Sequence, residues 1–147
     1  MAGGGKILIG NRQKSVRVFR RRLAALIRFV ARAEGRRIGM VDLAVVGAEE
    51  MAELNRRYLR HAGPTDVLSF DLSEGEEGPL DAQVIVCGDV AAAEARRQGL
   101  TPQQELMLYV IHGLLHLTGH DDQTAGRART LRARQEELLW QFCRRPR

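Results

Sequence analysis

At 147 residues, 44% hydrophobic and 28% charged, the chain has the size and balance of one soluble globular domain, spanning residues 1–147, rather than of a disordered or fibrous protein. No apolar run approaches the roughly 20 residues of a bilayer-crossing helix. The start, Met1-Ala2-Gly3-Gly4-Gly5-Lys6, has no signal-peptide core, so a cytoplasmic location is expected.

In chain order, Lys6–Ile9 reads as a first strand. From Val16 to Glu34, Phe19, Leu23, Leu26, Ile27 and Val30 recur at three- and four-residue steps between arginines, the pattern of an amphipathic helix closed by Gly35. Val41, Leu43 and Val45 alternate as a strand, and Glu49 to Tyr58 forms a second helix. Pro64-Thr65-Asp66 turns the chain into a strand over Val67–Phe70, a Gly- and Glu-rich surface loop covers Ser73 to Pro79, and Val84–Cys87 is a buried strand. Asp89 is placed to cap a helix over Val90–Gln98 that Gly99 ends. Thr101-Pro102 opens a long helix to about Leu117, and a last helix runs from about Thr124 to Phe142. Strands interleaved with helices predict an α+β fold, a single mixed sheet packed by helices. Cys87 and Cys143 form no metal-binding pair and read as small buried hydrophobes.

Charge is unevenly spread. The net charge is +5, no acidic residue precedes Glu34, and the chain ends Arg144-Arg145-Pro146-Arg147. Such asymmetry suits a polyanion, because each phosphate contact releases counterions, although a merely soluble basic surface explains it as well.

The chemistry concentrates in His112-Gly-Leu-Leu-His116-Leu-Thr-Gly119-His120-Asp121-Asp122. Residues four apart on a helix share a face, so His112 and His116 can reach one zinc ion at about 2.0–2.1 Å. The helix is apolar almost all round, and unpaired buried imidazoles would be costly there. Gly119 allows a sharp turn that can return a third donor. Asp122 is favoured by its spacing, and His120 is the rival by chemical type. Three protein ligands leave a fourth position for water, the arrangement of a catalytic site. A peptidase is disfavoured because Gly113 stands where a zinc protease of the H-E-x-x-H type has its glutamate base.

These residues resemble the YbeY family of ribosomal-RNA maturation endoribonucleases, whose signature is H-G-x-L-H-L-x-G-x-D-H. Leu54-Asn55-Arg56-Arg57-Tyr58 and Pro64-Thr65-Asp66-Val67-Leu68-Ser69-Phe70 are similar to that family's L-N-x-x-Y-R and P-T-[DN]-V-L-S-F segments. The resemblance implies a zincin-like fold and a zinc-dependent endoribonuclease selective for single strands. It also implies work at the small-subunit RNA 3′ end and in ribosome quality control, with ribosomal RNA and small-subunit proteins as partners. Two positions depart from the pattern. Asp122 replaces the third histidine, and Leu59 replaces the arginine after the tyrosine, so contact with RNA falls to Arg57 or Arg60. Helix-end arginines also commonly just face water. The rival reading is a non-catalytic ribosome-assembly factor whose zinc is structural.

Overall fold

The computed structural model describes residues 4–58 and 65–144. Its elements are β1 (Lys6–Arg12), α1 (Arg20–Ala33), β2 (Ile38–Val46), α2 (Ala48–Tyr58), β3 (Val67–Asp71), β4 (Leu80–Cys87), α3 (Gly88–Gln98), α4 (Pro102–Leu117) and α5 (Ala125–Arg144). The sheet order is β1-β2-β4-β3. β1, β2 and β4 are mutually parallel, and β3 lies antiparallel to β4 at the edge. One mixed sheet packed by helices is the α+β arrangement the sequence predicts.

Alternation along the strands sorts the core onto two faces. Val41, Leu43 and Val45 of β2 and Ala82, Val84 and Val86 of β4 meet Leu26, Ile27 and Val30 of α1, Val110, Ile111 and Leu114 of α4, and Leu138 and Phe142 of α5. The residues between them, Ala44, Val46, Ile85 and Cys87, pack with Leu68 of β3 and Met51 of α2 on the other face. With both faces covered, β2 and β4 are almost continuously apolar, as buried parallel strands are.

Three local expectations change. α1 begins at Arg20 rather than Val16, because the Gln13 side chain accepts from the Val16 N–H at 2.9 Å and donates to its carbonyl at 2.8 Å, pinning an extended lead-in. Asp89 does not cap its own helix; its carboxylate accepts from the Ala48 N–H at 2.6 Å and from the Ser15 hydroxyl, so it caps α2 instead. Cys87 is buried but Cys143 is exposed, since Leu131, Leu138 and Phe142 form the stripe α5 buries and Cys143 falls beside it. Among the described residues no helix is long and apolar enough to cross a membrane.

Candidate metal centre and active site

α4 is the element that positions the histidines. Its start is fixed by a reciprocal cap, in which Thr101 Oγ1 accepts from the Gln104 N–H at 3.1 Å and the Gln104 side chain accepts from the Thr101 N–H at 3.0 Å. Such a cap contributes on the order of 1 kcal/mol. Leu106, Val110, Ile111, Leu114 and Leu115 are then buried along its length. Gly113 sets how closely the helix lies on the sheet: a Cβ there would stand 3.1 Å from both Val67 Cγ2 and Val84 Cγ1. The glycine between the histidines therefore has a packing role, besides supplying no base.

His112 and His116 are half-buried on one face of α4, with their Nε2 atoms 3.0 Å apart and ring centroids 4.6 Å apart. His112 Nδ1 donates to Gln135 Oε1 of α5 at 2.9 Å. With the proton on Nδ1, its Nε2 keeps a lone pair aimed toward His116. Burial holds the His116 imidazole below its ordinary pKa, repulsion from His112 adds to this, and Asp122 and Asp121 oppose both. His116 therefore favours the neutral form a metal ligand needs.

Beyond α4 the chain turns at Gly119, whose φ of 108° lies in the region glycine alone occupies freely. The His120 N–H closes that turn on the Leu115 carbonyl at 3.0 Å. His120 does not join the pair. Its Nε2 meets Glu34 Oε1, at the end of α1, at 2.7 Å. Glu34 also accepts from the Thr118 hydroxyl at 3.3 Å and from Arg134 of α5 at 3.0 and 3.1 Å. Burial raises the Glu34 pKa, but the hydrogen bonds and charges of His120 and Arg134 outweigh it and hold the carboxyl below the usual range.

Asp122 is exposed, and among the described residues no three donor side chains are gathered at metal-binding spacing. The histidine pair itself suits zinc, since two nitrogens bound to one tetrahedral ion lie about 3.3 Å apart. The two histidines are thus brought together, and Asp122 stands outside the pair. Asp121 takes a long ion pair with Arg127 at 3.4 Å. Arg57 is exposed at the end of α2, on the opposite face of the sheet from α4, and Arg60 lies outside the described residues. Glu34, Arg134 and Gln135 were not singled out by sequence reasoning. Their one legible signal is that Glu34 is the first acid in an otherwise basic stretch.

A family model described as Endoribonuclease YbeY matches residues 8–143. Proteins named Endoribonuclease YbeY from Geobacter metallireducens and Acidothermus cellulolyticus are 32% and 37% identical to the chain. The first alignment covers 91% of this chain and 93% of the relative, the second 84% and 85%. A solution structure from Thermotoga maritima superposes with a TM-score of 0.64 at 26% identity, covering 92% of this chain and 88% of that one.

Proposed function

Because the chain belongs to the YbeY endoribonuclease family, we propose that it is a zinc-dependent endoribonuclease selective for single-stranded RNA. In this reading it acts in the cytoplasm on ribosomal RNA, at the small-subunit 3′ end and in ribosome quality control, beside small-subunit proteins. The observation that carries the metal reading is the pair of Nε2 atoms 3.0 Å apart on α4. His112 and His116 would hold one zinc ion, with Asp122 as third donor. When bound, the ion supplies an activated water at neutral pH and a Lewis acid for a phosphate oxygen.

The remaining work falls to the protein's own groups. Gln135 fixes the His112 ring and its proton, as partners of metal-binding histidines do. Arg134 is committed to Glu34 and to Glu137, which leaves it poorly placed to serve a substrate. Arg127 has a side chain 61% exposed, lines a cavity of about 270 Å³ with Gly119, His120, Asp121 and Thr130, and among the described residues its guanidinium is held only by the long Asp121 pair. Its guanidinium can meet a phosphodiester there and offset charge that develops in the transition state. Arg57, on the other face of the sheet from the pair, and Arg60 would serve as further contacts to RNA.

The test is cleavage of a labelled single-stranded RNA and of its duplex, before chelation, after it, and after zinc is returned. The expected result is cleavage of the single strand alone, abolished by chelator and restored by zinc. Cleavage indifferent to chelation would remove the metal from the mechanism. No cleavage at all, with a large fall in melting temperature on chelation, would favour the non-catalytic assembly factor.

A further inference from the structure

Four arginines share one cleft at the end of the sheet where β1, β2 and β4 begin. Arg28, Arg32, Arg36 and Arg37 line a cavity of about 510 Å³ together with Gly5 and Pro79, and no acidic residue is among the described residues that line it. The sequence explains the gathering: Arg28 and Arg32 lie one turn apart on α1, and Arg36 and Arg37 follow in the short connection to β2.

Some arginines elsewhere meet carboxylates, as in Arg12–Glu50, Arg97–Glu94 and Arg134–Glu34. Arg28 donates to the carbonyls of Gly4 and Gly5 at 3.2 and 3.3 Å, and Arg36 to the Gly78 carbonyl at 3.3 Å. Those carbonyl bonds fix the two guanidiniums in the cleft wall. Arg32 and Arg37 are exposed and make no ion pair among the described residues. Arg32, Arg36 and Arg37 bring like charges to one concave surface, and an anion relieves their repulsion. The planar guanidinium fork matches phosphate oxygens.

The cleft also adjoins the histidine side of the molecule. Glu34, between cleft residues Arg32 and Arg36, accepts from Thr118 and His120 just beyond α4. α1 and α4 therefore end on the same side. We infer that the cleft holds the phosphate backbone of the RNA strand flanking the bond to be cleaved, so that substrate is gripped away from the histidines. This rests on the reading of the protein as an RNA-cleaving enzyme.

Arg32→Ala/Arg37→Ala is the variant of choice, since neither side chain makes a hydrogen bond or ion pair to another part of the fold among the described residues. Binding of a fluorescent single-stranded RNA of about 20 nucleotides would be measured by polarisation across a salt series. Loss of two phosphate contacts predicts affinity weakened on the order of tenfold and a log–log salt slope smaller by about 1.4. The single variants should each give about half the change, and Arg32→Lys/Arg37→Lys should restore most of the slope. Unaltered affinity and slope in the alanine variants, with wild type binding RNA, would overturn the cleft assignment alone. Failure of wild type to bind RNA at all would overturn the RNA reading with it. Unaltered RNA binding with lost adsorption to phosphatidylglycerol vesicles would make the cleft a membrane-surface site and also overturn the inference.

Discussion

Glu34 is nearly out of solvent, with a side chain 9% exposed, and ties three elements together through Thr118, His120 and Arg134. Its carboxyl is held below the usual range, so its stabilising contribution is complete at neutral pH, above the unfolded-state value. That contribution is lost as pH falls through the lowered folded-state value. Glu34→Gln should therefore cost about 2 kcal/mol near pH 7, and the gap to wild type should narrow as pH falls through the lowered folded-state value; urea unfolding at neutral pH and across an acid series measures it. A gap that does not change with pH would show that packing rather than charge matters there. Glu105 behaves oppositely, since burial pushes its carboxyl up against a weaker pull from the Tyr109 hydrogen bond. At this scale the sequence was legible for His112 and His116, whose spacing alone puts them on one face. It was not legible for Gln135 or Glu34, whose partners lie 23 and 86 residues away. Asp89 was misread because a carboxylate at a helix start can cap a neighbouring helix as well as its own.

At the scale of elements, α4 carries both core residues and the histidine pair, and its seat on the sheet depends on Gly113. Gly113→Ala would gain about 1 kcal/mol of helix propensity, but its new methyl meets two valines at 3.1 Å. Overpacking of this kind costs about 1–3 kcal/mol, so a net loss of about 1 kcal/mol is predicted by chemical denaturation. A more stable variant would mean that Val67 and Val84 yield easily. The reciprocal cap on Thr101 and the apolar periodicity made α4 readable from the chain alone. Its closeness to β3 and β4 was not readable, because that depends on a sheet order no local pattern encodes. The start of α1 was misplaced for a related reason: Val16 and Phe19 fit a helical stripe, yet Gln13 holds the backbone of Val16 extended.

For the whole molecule, the +5 charge becomes meaningful once its geography is known. Glutamates pair with Arg12, Arg56, Arg97 and Arg134, whereas Arg32, Arg36 and Arg37 of the cleft make no ion pair among the described residues. A basic end of the sheet beside a histidine pair is an arrangement suited to drawing in a polyanion, and its pull should weaken with salt. The central claim is that the pair on α4 binds the metal that cleaves RNA. It is tested most directly by elemental analysis and RNA cleavage on the same samples of wild type, His112→Ala, His120→Ala and Asp122→Ala, each checked for folding. The prediction is about one zinc per chain in wild type and in His120→Ala, with zinc and cleavage lost together in His112→Ala and reduced together in Asp122→Ala. Folded His112→Ala that cleaves RNA at the wild-type rate would contradict it.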